Sequence, residues 1–373
     1  MDLLTSIGTY LIPFLIILSV VVFVHELGHY LVARRNGVRV DVFSIGFGPE
    51  LFGFNDRAGT RWKFSVLPLG GYVKMHGDAD PTSSTIDLNA RPDPDSFPAK
   101  TVWQRMAIVV AGPVANFVFA IVVLGLLFAT VGRPVTPAEV GEVQEGSAAE
   151  AAGLEPGDRI IAVDGEPLAS FEELQLVVRD SPGVPLTFTI ERAGERLEVT
   201  VTPRQTELTD RFGQVHRIGL IGVSRSGIEF ERSNPLLAVV EGGSETLRLI
   251  GGTLYALGEM IVGSRTTEEL GGPLRIAQMS GEIAKDGAIP LIWFTAVLSV
   301  NLGLINLFPI PLLDGGHLVL YAVEALRGRP LNERSQEVAF RFGLVLVLTL
   351  MVFATWNDLV QLNVIEFFKG LVS

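Results

Sequence analysis

The sequence contains no cysteine and little charge. Of its 373 residues only 19% are Asp, Glu, Lys or Arg and five are histidine, while 48% are hydrophobic. Disulfides and thiolate metal sites are therefore excluded, and any bound metal must be held by histidine and carboxylate side chains. The net charge of −12 argues against a nucleic-acid partner, which would require a basic surface. The mean hydropathy of +0.40 is too high for an ordinary soluble enzyme and indicates an integral membrane protein.

Four segments are long and apolar enough to cross a bilayer. They run from about residue 9 to 32, 106 to 131, 290 to 313 and 342 to 361, and Asp358 weakens the end of the last. The N-terminus lacks the basic region and small-residue cleavage site of a signal peptide, so we expect the first span to persist. Lys and Arg cluster after span one, before span two and between spans three and four. These clusters predict a cytoplasmic side, with both termini and residues 133–289 on the outer side.

The cluster His25-Glu26-Leu27-Gly28-His29 lies near the end of the first span. On a helix, His25 and His29 share one face and can bind one metal ion, while Glu26 lies about 100° away, beside the ion. This is the H-E-x-x-H zinc arrangement, with two imidazole ligands and a carboxylate base for a metal-bound water. The alternative is a surface helix, which the uncharged run from Tyr10 to Val24 disfavours.

A catalytic zinc site needs a third protein ligand. Asp314 is the preferred candidate, because Pro309 and Pro311 break the helix just before it and span three brings it to about the depth of the histidine pair. The alternatives are Glu50, which lies in a non-helical setting, and His317. Asp314 as a simple helix cap is the structural alternative.

Residues 133–205 read as a small β-rich domain with alternating strands and Gly-containing turns. A helix is predicted from Phe171 to Arg179, with Ser170 as its N-cap. The motif A-A-G-L-x-P-G-D-x-I-x-x-V-D-G resembles a PDZ domain, a module that binds extended peptides at a sheet edge. The predicted groove edge consists of Val140, Gly141, Glu142 and Val143. A spacer with a closed groove is the alternative.

Two further segments are predicted to lie at the membrane surface. Residues 234–262 have apolar residues at helical spacing with Gly-Gly pairs at 242–243 and 251–252, which indicates surface helices, with a fifth span as the alternative. Residues 44–76 hold strand-like residues broken by Gly and Pro. A β-hairpin that dips into the membrane is predicted there, buried against protein because unpaired backbone groups cannot face lipid.

Taken together, these motifs resemble the site-2 protease family of intramembrane zinc metalloproteases. The resemblance rests on VHELGHYLVAR at 24–34, GFGP at 46–49, LPLGGYVKM at 67–75, AGPVANFVFA at 111–120, the PDZ motif, and NLFPIPLLDGGHL at 306–318. It implies one Zn²⁺ held by His25, His29 and Asp314, with Glu26 as the catalytic carboxylate. It further implies that Asn306, and more weakly Asn301, hold the substrate. The loop residues implied to pair with an extended substrate are Phe64, Leu69, Gly70, Gly71 and Tyr72.

The implied protein is a polytopic α-helical membrane protein of four transmembrane helices, with a membrane-associated β-hairpin and an inserted PDZ domain. Its predicted parts are residues 1–132, the PDZ domain at 133–205, a strand and surface helices at 206–289, and 290–373. Some family members carry two tandem PDZ domains, whereas one is visible here.

The implied function is cleavage of single-span membrane proteins, such as anti-sigma factors or remnant signal peptides, after an upstream site-1 protease has trimmed them. The implied location is the bacterial inner membrane, with the PDZ domain periplasmic, where it acts as a size filter, and the active site near the cytoplasm. The rival interpretations are a PDZ-bearing membrane scaffold, whose structural metal would need a fourth ligand, and a metal transporter, whose ligands would be spread across several spans.

Overall fold

The computed structural model describes residues 7–77, 93–209, 215–227, 229–264, 266, 271–329 and 331–361. The chain forms two compact units, one of Met1–Leu126 with Ala238–Ser373 and the other of Leu127–Leu237. The helices are α1 (Ile12–Arg35), α2 (Val102–Thr130), α3 (Ala148–Ala151), α4 (Phe171–Arg179), α5 (Pro235–Val262), α6 (Pro273–Lys285), α7 (Ala288–Asn306), α8 (Asp314–Arg327) and α9 (Glu333–Gln361), with a π-turn at Ile7–Leu11. The strands are β1 (Val40–Asn55), β2 (Arg61–Met75), β3 (Arg133–Val135), β4 (Val140–Val143), β5 (Arg159–Val163), β6 (Glu166–Pro167), β7 (Leu186–Arg192), β8 (Glu195–Val201), β9 (Arg204–Thr209), β10 (Val215–Leu220), β11 (Val223–Arg225) and β12 (Glu229–Glu231).

Four helical segments of the described residues are long and apolar enough to cross a membrane, as the sequence predicts. They are Gly8–Arg35, Val102–Thr130, Ala288–Asn306 and Arg334–Gln361. The third ends at Asn306 and not at residue 313, because Pro309 and Pro311 lack the amide hydrogens that would continue the helix.

Helix α2 packs closely against both α1 and α7. A Cβ added to Gly28 of α1 would lie 2.7 Å from the Cβ of Ala115 and closer still to the carbonyl oxygen of Ala111. A Cβ added to Gly303 of α7 would lie 3.1 Å from the carbonyl oxygen of Pro113. Small residues thus let the three backbones approach, as is common between membrane helices. They place the face of α1 that carries His25 and His29 against α2.

Strands β1 and β2 form an antiparallel hairpin whose register shifts repeatedly. Both strands bend, so residues 42–45 pair with 71–74 and also with 61–64. At the turn, Asp56 accepts hydrogen bonds from the Tyr30 hydroxyl at 2.7 Å, from Trp62 Nε1 at 3.0 Å and from the Ala58 and Thr60 amides. Desolvation would raise the pKa of Asp56, but these donors outweigh it and hold the pKa at about 2. The turn is therefore tied to α1 through Tyr30 by an ionised carboxylate.

The second unit is β-rich, with a four-stranded sheet in the order β6-β5-β7-β8 and a core that includes Leu174, Phe188 and Ile190. The predicted helix Phe171–Arg179 is confirmed, and the Ser170 side chain accepts from the Glu173 amide at its N-cap. The unit is larger than the predicted 133–205. Strand β11 pairs with β4 and β12 pairs with β3, so the tail after residue 205 is part of this unit.

Helix α5 runs unbroken through both glycine pairs, so the prediction of interrupted helices was wrong. Glycine lowers helix stability by only about 1 kcal/mol, which tertiary contacts offset. Gly242 is one such contact, because a Cβ there would lie 2.7 Å from the carbonyl oxygen of Ile121 in α2. The close approach to α2 explains why glycine stands at this position.

Asp358 of α9 is buried and caps the N-terminus of α6. Its carboxylate accepts from the backbone amides of Gly272 at 2.8 Å, Leu274 at 3.0 Å and Arg275 at 3.1 Å. An ionisable residue within a span is usually functional, but this one does structural work at the positive end of a helix.

We expect Asp358→Ala to lower the free energy of unfolding by about 3 kcal/mol, because it leaves three backbone amides at the start of α6, that of Gly272 buried, without their acceptor. Thermal unfolding in detergent micelles measures the effect. The matched control is Thr355→Ala, since the Thr355 hydroxyl donates to the Met351 carbonyl oxygen of its own helix, and this variant should melt like the wild type. Equal melting of Asp358→Ala and wild type would contradict the capping role.

Candidate metal centre

The two histidines of the first span lie on the buried face of α1, one turn apart. Their Nε2 atoms are 3.2 Å from each other, and their rings meet edge to face with centroids 4.8 Å apart. The predicted pair therefore converges on one point. His29 Nδ1 donates to the Ile108 carbonyl oxygen of α2 at 2.9 Å, which leaves the lone pair of Nε2 for a ligand.

Asp314, the preferred third ligand, is the first residue of α8. The chain reaches it through a tight loop in which Leu312 has a φ of 89°, a conformation that is unfavourable for a residue other than glycine. Gly315 and Gly316 let α8 begin directly against this loop, since a Cβ on either would meet backbone atoms of residues 307–311. The strained loop thus holds the carboxylate in place.

The carboxylate meets the histidine pair. Asp314 Oδ2 lies 3.1 Å from His25 Nε2 and 3.5 Å from His29 Nε2, and the ligand atoms of the three residues all lie within 4.8 Å of one another. Oδ2 is buried without a hydrogen bond of ordinary geometry, as expected for an atom whose partner is an ion. Two imidazole nitrogens and one carboxylate oxygen form a donor set of the kind found in catalytic zinc sites, so the residues fit the metal.

Glu26 shares a cavity of about 550 Å³ with the three ligands. It is not one of the converging ligands, and its Cγ lies close to Gly71, where an added Cβ would be 3.4 Å away. The sequence-predicted residues that also line the cavity are Asn306, Leu69, Gly70, Gly71, Tyr72 and His317. The hairpin thus forms one wall and the loop end of α7 another.

Three predicted candidates lie elsewhere. Asn301 accepts from the Thr253 hydroxyl at 3.0 Å and lines an adjacent apolar crevice. Phe64 stacks on Phe52 with ring centroids 4.5 Å apart. Glu50, the alternative third ligand, forms an ion pair with Arg61. None of the three is among the residues that line the metal cavity.

Sequence reasoning missed the support that α2 gives to the histidines. Ile108 supplies the acceptor for His29, and Gly112, one turn later, leaves room for both rings. A Cβ on Gly112 would lie 2.6 Å from His29 Cε1 and 2.9 Å from His25 Cε1. The spacing of four residues between Ile108 and Gly112 and the small side chains of residues 111–115 are visible in the sequence. These features do not reveal which other helix this face of α2 contacts.

The predicted groove edge in the second unit is also incorrect. Residues 140–143 already pair with β11, and Val140 exchanges backbone hydrogen bonds with residues 157 and 158 on its other side. A cleft of about 420 Å³ lies instead between α4 and residues 218–223. The pairing of β4 with a strand some eighty residues later could not be read from local pattern.

Comparison with known proteins agrees with this geometry. The sequence profile of Peptidase family M50 matches residues 13–350. A relative in Agrobacterium fabrum, whose name describes a candidate zinc metalloprotease, is 48% identical and covers 95% of this chain and 96% of its own length. The regulator of sigma-E protease RseP of Salmonella typhimurium is 35% identical, over 94% of this chain and 98% of that protein. Among solved structures, the PDZ domain of an SdrC-like protein from Listeria monocytogenes is 19% identical, with a TM-score of 0.19, over 23% of this chain and 84% of that one.

The family profile matches most of the chain, and both relatives are matched over nearly their whole length. The resemblance inferred from the sequence motifs is therefore confirmed. This chain belongs to Peptidase family M50 and is an intramembrane zinc metalloprotease.

Proposed function

We propose that the chain hydrolyses peptide bonds within or beside the membrane helix of single-span proteins that have first been trimmed by another protease. The observation that carries this proposal is the meeting of His25, His29 and Asp314 beside Glu26 in one cavity between membrane helices. One Zn²⁺ per chain, bound by these three residues, would polarise the scissile carbonyl and acidify a bound water.

Glu26 is the proton carrier in this proposal. Its carboxylate takes the proton of the attacking water and delivers it to the nitrogen of the leaving amine. Burial of the two histidines and partial burial of Glu26 keep bulk water away from the reacting groups. In this proposal Glu26 is free to act as the base because it is not one of the three metal ligands.

The substrate is proposed to bind as an extended strand. Residues 71–74 pair with β1 along one side, and Gly71, Tyr72 and Val73 line the cavity. Addition of a strand there would replace the backbone hydrogen bonds that a substrate helix loses when it unwinds. Asn306, on the opposite wall, offers an amide to hold a substrate carbonyl.

The hairpin is proposed to rest in the membrane surface. Several of its large apolar side chains are exposed, as expected for contact with lipid. They are Phe47, Leu51, Phe52, Phe54, Val66, Leu67 and Leu69.

The Lys and Arg distribution favours a cytoplasmic position for the hairpin in a bacterial cell and an outer position for residues 133–289. The outer cleft between α4 and residues 218–223 is proposed to take the peptide end that trimming creates.

Cleavage of two versions of one single-span protein, with and without its outer domain, tests the proposal. With purified zinc-loaded protein in liposomes, we expect the trimmed version to be cut in or beside its span and the untrimmed one to be cut far more slowly. A chelator should abolish cutting. If neither version is cut, the scaffold interpretation with a structural metal is favoured. Equal cutting of both would contradict the requirement for trimming.

A further inference from the structure

Asn116 is a fully buried polar residue of α2 that lies behind the first metal ligand. Its Nδ2 is 3.2 Å from His25 Nδ1, and its Oδ1 is buried with no hydrogen-bond partner. The backbone of Asn116 is held by α7, because the Ser299 hydroxyl donates to its carbonyl oxygen at 3.0 Å. The amide of Asn116 therefore lies beside the imidazole of His25.

The two ring nitrogens of His25 have different neighbours. Nε2 faces the metal-binding point, 3.1 Å from Asp314 Oδ2, and Nδ1 faces Asn116. When Nε2 gives its lone pair to an ion, the neutral ring carries its proton on Nδ1, and that proton needs an acceptor. The NH₂ group of an amide cannot accept it, whereas the amide oxygen can.

We propose that Asn116 is a positioning residue for the metal, with Oδ1 accepting a hydrogen bond from His25 Nδ1–H when the site is loaded. The amide oxygen and nitrogen exchange places by a half-turn of the side chain. This half-turn gives the unpaired buried Oδ1 a donor. Without the ion, the opposite orientation suits a ring whose proton is on Nε2, directed at Asp314. An asparagine can thus form a hydrogen bond with His25 Nδ1 whether the ring proton is on Nδ1 or on Nε2.

The neighbouring ligand supports this assignment. His29 Nδ1 donates to the Ile108 carbonyl oxygen, also on α2. Positions 108, 112 and 116 are spaced by four residues, so they lie on successive turns of one helix face. One face of α2 therefore supplies an acceptor behind each histidine and, at Gly112, the space between the two rings. Such outer partners orient the ring and increase its basicity toward the metal.

The test compares zinc affinity, because this inference rests on the proposed zinc role of His25. In the full chain in detergent, a chromophoric chelator competes for the ion with the wild type, Asn116→Leu, Asn116→Asp and Ser299→Ala. We expect Asn116→Leu to weaken zinc binding roughly 10- to 100-fold. Asn116→Asp, which keeps the acceptor, should bind within a few-fold of the wild type. Ser299→Ala disturbs the same helix contact without touching His25 and should also bind normally.

The outcomes separate the two ideas. A wild type that binds no zinc, or binds it equally well after His25→Ala, would overturn the proposed function itself. A zinc-binding wild type whose affinity is unchanged in Asn116→Leu would overturn only the role of Asn116. The role of Asn116 is also overturned if Asn116→Asp loses as much zinc affinity as Asn116→Leu, because keeping a hydrogen-bond acceptor would then not preserve zinc binding. If Asn116→Leu fails to fold, Asn116→Ala, which also removes the acceptor, takes its place in the comparison with Asn116→Asp.

Discussion

Replacement of Glu26 by glutamine is expected to reduce single-turnover cleavage roughly 10²- to 10⁴-fold, the usual contribution of a general base. The amide has nearly the same size as the carboxylate but cannot take a proton from water at neutral pH. Glu26 lies in the metal cavity but outside the group of three converging ligands. Zinc content should therefore stay at the wild-type level while cleavage is lost.

Single-turnover assays with a trimmed substrate isolate the chemical step from binding and release. The control variant is Glu282→Gln, which removes an exposed carboxylate of α6 that contacts Gln278. It should cleave at the normal rate. Normal cleavage by Glu26→Gln would show that the base is another group, and loss of zinc from this variant would make Glu26 a ligand.

Replacement of Gly112 by alanine is expected to abolish zinc binding through one added methyl group. The new Cβ would overlap His29 Nε2 and lie 2.6 Å from His29 Cε1, so both imidazoles must move. A displacement of about 1 Å at a catalytic centre costs roughly 100-fold in activity, and here it acts on two ligands together. In the absence of this contact, alanine would be the better helix former by about 1 kcal/mol.

Gly251→Ala in α5 is the matched control, because a Cβ there has no neighbour within 4 Å. It should bind zinc normally and melt at or above the wild-type temperature. Zinc content after dialysis, thermal unfolding and cleavage are measured for both variants. Full zinc occupancy in Gly112→Ala would mean that the histidine rings adopt a different arrangement from the one described.

The convergence of His25, His29 and Asp314 could be predicted from the sequence because two simple geometric rules apply to them. The helical spacing of His25 and His29 places both on one face, and counting residues through the bilayer brings Asp314 to the same depth. Asn301, which the resemblance implied more weakly than Asn306, lies away from the cavity, because a sequence match does not determine which way a helix face points. Its side chain lies toward Thr253 and an apolar crevice, while Asn306, at the end of the helix, reaches the cavity.

The remaining errors come from contacts between distant parts of the chain. Gly112 and Ile108 matter only because α2 is the helix that packs against α1, and a single sequence does not state which helices are neighbours. The edge at residues 140–143 looked open because its partner, β11, lies far along the chain. Helix α5 looked broken because the close contact that requires Gly242 is with α2.

Asp314 lies far from His25 and His29 in the sequence, and the whole β-rich unit is encoded between them. During translation, the ribosome must therefore complete that unit and the third span before the last ligand exists. A nascent chain carries the histidine pair and the glutamate in the bilayer but no assembled hydrolytic centre. The order of synthesis therefore delays assembly of the candidate centre until the third span has been made.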